Sequence, residues 1–176
     1  MEKLRVAVIV GSTRMGRVGD EIGRWAADRA SARAGLDVTT VDLAEFDFPA
    51  RYPEQATEPM RDFTKRIDHA DAFVIVTPEY NRSFPASLKQ AIDYAYDEWH
   101  GKPAGFVSYG HRSEGWFAVE QLRTVFTELH VVTMRDFVGI NLLDDDLRER
   151  ERQADTLLDQ LTWWGTALRN ARPYVS

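Results

Sequence analysis

Cysteine is absent from this 176-residue chain, which excludes disulfides, thiolate metal sites and a cysteine nucleophile while fitting any redox compartment. Long hydrophobic runs are missing too. After Met1-Glu2-Lys3 the first apolar stretch, Leu4 to Val10, stops at Gly11-Ser12, too short for a signal or a membrane segment. No membrane insertion and a cytoplasmic location are therefore expected. Basic excess is lacking: 22 Lys and Arg stand against 28 Asp and Glu for a net charge of −6, and the arginines are scattered among acids. That argues against a nucleic-acid surface, which needs a basic stripe. Histidine is sparse, and His69, His100, His111 and His130 show no i,i+4 pairing, so no metal site is expected. Neither a Gly/Ser or Pro-rich linker nor an internal repeat divides the chain. With 44% hydrophobic residues, residues 1–176 read as a single domain around one core.

What is present is an alternation of strand-like and helix-like segments. Leu4 to Val10 predicts a first strand, and Val18, Ile22, Trp25 and Ala26 mark a helix ending near Gly35. Val38 to Leu43 predicts a second strand. After a Pro- and acid-rich loop from Glu45 to Pro59, Met60, Phe63 and Ile67 mark a helix leading to the uncharged, β-branched run Ala72 to Val76. Such a run suits a strand covered on both faces. Leu88, Ala91, Ile92 and Ala95 then predict a helix with Pro85 tolerated at its first turn. Phe106 to Tyr109 is a fourth strand, Gly115 to Leu129 a helix, His130 to Met134 a short fifth strand, and Leu147 to Leu168 a closing helix. Five βα units predict a doubly wound α/β fold: a five-stranded parallel sheet with helices on both faces. By analogy, its strand order is the flavodoxin-like 2-1-3-4-5.

Two strand ends carry chemistry. The first runs Gly11-Ser12-Thr13-Arg14-Met15-Gly16-Arg17-Val18-Gly19, small and hydroxylated residues at a junction where amides and a helix dipole face an anion. Gly11 to Gly16 nearly has P-loop spacing, but Arg17 replaces the lysine and Val18 the Ser/Thr that would hold Mg²⁺. Thr13 stands where a dinucleotide fingerprint needs its second glycine. A terminal phosphate site remains. The second, Thr77-Pro78-Glu79-Tyr80-Asn81-Arg82-Ser83, packs hydroxyls, an amide, a carboxylate and a phenol just past a strand's carboxyl end, where open α/β sheets bind ligands. Taken alone, either stretch also fits an ordinary turn. Together they predict a mononucleotide with a flat ring. Gly110 to Gly115 misses the hydrolase nucleophile elbow.

These motifs resemble the NAD(P)H-dependent FMN reductase family, the flavodoxin-like group that includes quinone and azo reductases. The matching residues are Gly11-Ser12-Thr13-Arg14 with Arg17, then Thr77 to Asn81 with Ser83 and Pro85. Leu88-Lys89, Ala91-Ile92-Asp93, Gly101-Lys102-Pro103 and Ser108-Tyr109-Gly110 follow in order. The resemblance covers roughly residues 4 to 135. It departs from the family at His111-Arg112-Ser113 and at Ala86, positions that are commonly glycine or small.

The resemblance implies an FMN-dependent oxidoreductase passing electrons from NADPH or NADH to a quinone, azo compound, free flavin or similar small-molecule acceptor. A flavin-binding electron carrier with negligible nicotinamide turnover is the other reading. Ser12, Arg14 and Arg17 would hold the phosphate, with Gly11, Thr13 and Val18 in the same cofactor-binding loop. Thr77, Pro78, Glu79, Tyr80, Asn81 and Ser83 would lie along the ring and ribityl chain, with Ser108, Tyr109 and Gly110 bordering the ring's other side. Hydride chemistry then belongs to the flavin, no acid–base triad is required, and one ring face serving donor and acceptor in turn predicts ping-pong kinetics. Tyr80 and Phe84 shape that face or simply pack the loop. Arg82 is a candidate for the NADPH 2′-phosphate, because its forked donors suit phosphate; His111 and Arg112 are candidates for nicotinamide phosphate or acceptor. The run from Leu147 to Glu151 reads as a charged helix face rather than a partner motif. The resemblance also implies a homodimer or dimer of dimers. Tyr94, Tyr96, Trp99 and the pair Trp163-Trp164 are either subunit contacts or core.

Overall fold

The computed structural model describes residues 2–144 and 146–172. Six strands make one sheet: β1 (Leu4–Val10), β2 (Leu36–Asp42), β3 (Ala72–Pro78), β4 (Pro103–Gly110), β5 (Val132–Thr133) and β6 (Val138–Asn141). All pairings are parallel and the order is β2-β1-β3-β4-β5, with β6 also paired to β4. This is the expected flavodoxin-like order. The strand count is corrected, because the fifth position is occupied twice: β5 pairs with Pro103 and Ala104, and β6 with Val107 to Gly110.

Five helices pack on this sheet: α1 (Gly19–Ser31), α2 (Glu58–His69), α3 (Ala86–Tyr94), α4 (Trp116–Glu128) and α5 (Glu151–Ala171). Side chains alternate across a strand, so each central strand feeds two cores. Ala7, Ile9, Phe73, Ile75 and Phe106 join Phe63 and Ile67 of α2, Leu88 and Ile92 of α3, and Leu122 and Phe126 of α4. Val6, Val8, Val74, Val76, Val107 and Tyr109 join Ile22 and Ala26 of α1 and Leu157, Leu158 and Leu161 of α5. Burying a large aliphatic side chain is worth about 1.5–3 kcal/mol, so these paired layers fix which face of the sheet each strand residue meets.

The aromatic candidates for subunit contacts separate. Trp99 is wholly buried against Phe63, Phe73 and Phe126, with its indole N–H donating to the Ile92 carbonyl, and Tyr94 is buried too. Tyr96 and Trp163 lie on the surface, 58% and 66% exposed, so neither is core.

At the amino-terminal ends of the strands, the carboxylate of Asp71 is fully buried and meets Arg5 at 2.9 Å, Arg169 at 3.7 Å and also Arg172. Burial pushes this carboxyl up, but hydrogen bonds from the Arg5 side chain and backbone and from Arg172 outweigh it and hold it well below the usual carboxylate range. Next to it, buried Lys102 donates to the carbonyls of Ile67 and Asp68 at 2.8 and 2.9 Å, closing the carboxyl end of α2. Among the described residues no helix is long and apolar enough to cross a membrane.

Candidate functional site

The parallel register carries three loops to one end of the sheet. Val10 pairs with Val76, Thr77 with Ser108 and Pro78 with Tyr109, so the segments after β1, β3 and β4, numbered after their strands as the first, third and fourth loops, leave side by side. Strand order reverses between β1 and β3, the switch point where this architecture opens a crevice.

The first loop is anchored at its start. Gly11 N–H donates to the Val76 carbonyl at 2.8 Å, and the hydroxyl of Ser87 on α3 donates to the Gly11 carbonyl at 3.1 Å. From Ser12 to Val18, no amide donates to a neighbouring strand or helix among the described residues. Unspent amides ahead of the amino terminus of α1 are suited to an anion. Thr13 and Arg14 are exposed above them, while Ser12 is buried. Arg17 does not face outward with Arg14. Its guanidinium makes a two-pronged pair with Asp42 at the end of β2, one bond at 2.6 Å, and also donates to the Ser12 carbonyl. Val18 is the half-exposed residue before α1, and its carbonyl accepts from Ile22 N–H.

The third loop is a tight hairpin. Tyr80 and Ser83 exchange both backbone hydrogen bonds, at 2.8 and 3.0 Å, around Asn81 and Arg82, whose φ values are +51° and +64°. Two left-handed central residues define a type I′ turn. Asparagine tolerates that conformation, but arginine is strained there by roughly 1 kcal/mol or more. The Arg82 guanidinium lies 3.8 Å from the centre of the Phe117 ring on α4, a cation–π contact. Thr77 and Pro78 are buried at the end of β3, and the Thr77 hydroxyl donates to the Pro78 carbonyl. Glu79 is committed to structure: its N–H donates to the Tyr109 carbonyl at 2.9 Å, and its carboxylate accepts from Phe117 N–H at 3.0 Å. It thereby caps α4, whose own N-cap position is Gly115.

The fourth loop is set by buried contacts. Ser108 donates its hydroxyl to the Glu114 carbonyl at 2.9 Å. Gly115 has φ +83°, and a Cβ there would fall 2.5 Å from Ser108 Cβ, so only glycine fits. Gly110, His111, Arg112 and Ser113 form, with Glu79 and Leu143, a cleft of about 540 Å³ beside the hairpin. His111 and Arg112 are exposed on its rim. Tyr109, expected to border the ring, instead turns its side chain beneath the first loop, where its phenol donates to Ser12 Oγ at 3.1 Å. Burial pushes that phenol up to about 12 despite the hydrogen bond to Ser12.

Of the residues expected at the site, Ser12, Thr13, Arg14, Tyr80, Asn81, Ser83 and Gly110 thus share one end of three adjacent strands. Asp42 and Phe117 carry no sequence signal for the site, because both lie far from either motif along the chain, and Gly19, the end of the first motif, is the first residue of α1. An Arg in place of the usual glycine after Asn81 hid the type I′ turn.

Comparison with known proteins agrees with this geometry. The family model for NADPH-dependent FMN reductases matches residues 4–143. A 2-hydroxy-1,4-benzoquinone reductase from Burkholderia is 34% identical over 92% of this chain and 96% of its own length. The NAD(P)H-dependent FMN reductase of Saccharomyces cerevisiae is 33% identical over 78% of this chain and 79% of its own. Against the FMN reductase of Schizosaccharomyces pombe, 36% identical, the match spans only 60% of that protein's length. Among solved structures, FerB from Paracoccus denitrificans, a flavoenzyme NAD(P)H:(acceptor) oxidoreductase, superposes with a TM-score of 0.76 at 25% identity, covering 90% of this chain and 97% of FerB. A parallel sheet in this order, ending in a loop of unspent amides beside a closed hairpin, is thus found in a chain that belongs to the NADPH-dependent FMN reductase family.

Proposed function

We propose that the protein is an FMN-dependent oxidoreductase that draws electrons from NAD(P)H and delivers them to a quinone or similar flat small molecule. The observation that carries this reading is the side-by-side exit of a donor-rich loop and a rigid aromatic hairpin at the switch point of the sheet. The residues fit the cofactor. The amides of Ser12 to Val18, with Thr13 and Arg14, suit a phosphate monoester, whose charge Arg14 would balance because Arg17 is already paired with Asp42. The hairpin Tyr80–Ser83 and the fourth-loop backbone through Gly110 would flank the ring.

Bound FMN supplies the hydride-accepting atom and the onward transfer of electrons. The chain's part is to bind, orient and exclude. Glu79 is engaged as a helix cap, and hydride transfer to a flavin asks no general base of the hairpin. Tyr80 remains 37% exposed and offers its ring as one wall. Donor and acceptor would use the same cleft in turn, giving ping-pong kinetics. Arg82, exposed and held against Phe117, and Arg112 on the rim would meet the NADPH 2′-phosphate or pyrophosphate. A cytoplasmic site of action follows from the need for a reduced nicotinamide, and a tagged chain followed by fractionation tests it. A homodimer is supported by the exposed aromatics Trp116, directly after the fourth loop, and Tyr96, after α3, and light scattering tests it. The whole chain is taken to fold as a single domain, for which one cooperative melting transition is expected.

The decisive experiment is the visible spectrum of the FMN-loaded protein followed by anaerobic titration with each nicotinamide. Rapid bleaching, reversed by a benzoquinone, is expected. Slow bleaching with fast reduction by a protein partner would turn the reading to an electron carrier, and a protein that cannot be loaded with FMN would sink it.

A further inference from the structure

Beneath the first loop, groups from three elements meet at a single buried hydroxyl. Ser12 and Tyr109 are 1% and 3% exposed, and the phenol at the end of β4 donates to Ser12 Oγ at the end of β1. Gly19, the first residue of α1, closes over the same pair: a Cβ there would lie 2.2 Å from Ser12 Oγ and 2.5 Å from the Tyr109 hydroxyl oxygen. From the other side, Arg17 donates to the Ser12 carbonyl while paired with Asp42. Ser12 is thus gripped through both its side chain and its backbone, immediately before the run of unspent amides.

The phenol is not explained by packing. A phenylalanine would fill the same core space next to Val107 and Ile140, and a buried hydroxyl costs free energy unless it is hydrogen-bonded. A serine hydroxyl has one hydrogen and two lone pairs. With Tyr109 occupying a lone pair, the hydrogen of Ser12 points away from Tyr109. Burial pushes Tyr109 up to about 12, so the phenol keeps its proton near neutral pH. Its backbone acts separately: the Tyr109 carbonyl accepts from Glu79 N–H and so holds the ring hairpin. One residue therefore anchors the phosphate loop through its side chain and the hairpin through its backbone.

We propose that Tyr109 is a positioning residue for the phosphate end of FMN: its hydroxyl fixes Ser12, and through it the turn whose amides converge on a phosphate monoester. This rests on the reading of the first loop as the FMN phosphate site. Because Tyr109→Phe removes only the side-chain link, it should weaken recognition of the phosphate and leave recognition of the ring in place.

The test compares two flavins that differ in that phosphate. Wild type, Tyr109→Phe and Ser12→Ala are titrated with FMN and with riboflavin, following quenching of flavin fluorescence. For Tyr109→Phe the FMN Kd should rise about tenfold, the scale of one lost hydrogen bond and a loosened loop, while the riboflavin Kd changes less than about twofold. Ser12→Ala removes the acceptor with Tyr109 intact, so it serves if the first variant folds poorly. It should give the same selective loss, and the double variant should be no worse than the worse single one. Equal weakening of both flavins, or an unchanged FMN Kd, would overturn the proposal while wild type still binds FMN. A wild type that binds neither flavin would overturn the cofactor reading and this inference with it.

Discussion

The two ends of the sheet treat charge in opposite ways. At the amino-terminal ends of the strands the buried charges are spent: Asp71 on Arg5, Arg169 and Arg172, and Lys102 on two helix carbonyls. At the carboxyl ends the amides after Ser12 donate to no neighbouring element among the described residues, Arg14 projects outward, and Arg82 is held by a ring. Exposed groups in that second condition are open to water or to an incoming ligand. The same fold therefore separates a mechanical end from a chemical end, and substitutions should fall cleanly into one class or the other.

The largest expected effect is at the mechanical end. Asp71→Ala leaves three partly exposed arginines around an empty buried position and should cost about 3 kcal/mol, the low end for breaking a buried pair because its partners reach solvent. Denaturant unfolding measures it, and FMN affinity of the folded fraction should not change. The pH dependence has a definite sign. Since the Asp71 carboxyl titrates below its unfolded value, its contribution is present above about pH 4 and is lost as pH falls further. Asp71→Ala should flatten that acid limb.

Arg14→Ala is the counterpart at the chemical end. Loss of one charge-assisted contact should raise the FMN Kd by roughly tenfold or more, with riboflavin affinity and melting temperature unchanged; a drop in melting temperature would blur the division.

Lys102→Met should cost about 1–2 kcal/mol through two orphaned carbonyls. Burial, and then the nearby Arg172, pull this lysine from 10.5 to about 8. Between those values the unfolded chain binds more protons than the folded one, so stability should rise with pH there. The methionine variant should lose that rise.

The smallest effect is Arg82→Gly. Relief of the left-handed strain, about 1 kcal/mol, is offset by loss of the stack on Phe117, about 0.5–1 kcal/mol. Stability should shift by less than about 0.5 kcal/mol on these terms, while the ratio of kcat/KM for NADPH over NADH falls. An unchanged ratio would remove Arg82 from the donor site.

Much of the frame was legible in the chain, for physical reasons. Uncharged runs such as Ala72 to Val76 have few alternatives to a central strand, and the three that matter were bounded by their own loops. β6 was missed because Val138–Asn141 is four residues long, contains a glycine and comes just after Arg135-Asp136, a pattern that also reads as loop. Helix α1 stops at Ser31, four residues before the glycine expected to end it, and β2 starts earlier in compensation. At the site, the motifs located the loops but not the directions of their side chains. Tyr109 sits in a strand buried on both faces, where the pattern of apolar residues carries no sign of which face a given residue meets. Charge and family resemblance both point Arg17 at the phosphate, but its partner Asp42 lies 25 residues away.

The double occupancy of the fifth strand position has a consequence for the chain among its own copies. An edge strand with a long run of unpaired backbone groups is a template for a foreign strand. Here that edge is cut into pieces of two and four residues at different heights along β4. Between them, Arg123 of α4 ties down the carbonyls of Met134 and Arg135 at 2.6 and 2.9 Å. That margin, unlike the continuous edge strand β2 on the other side of the sheet, is poorly shaped for edge-to-edge aggregation.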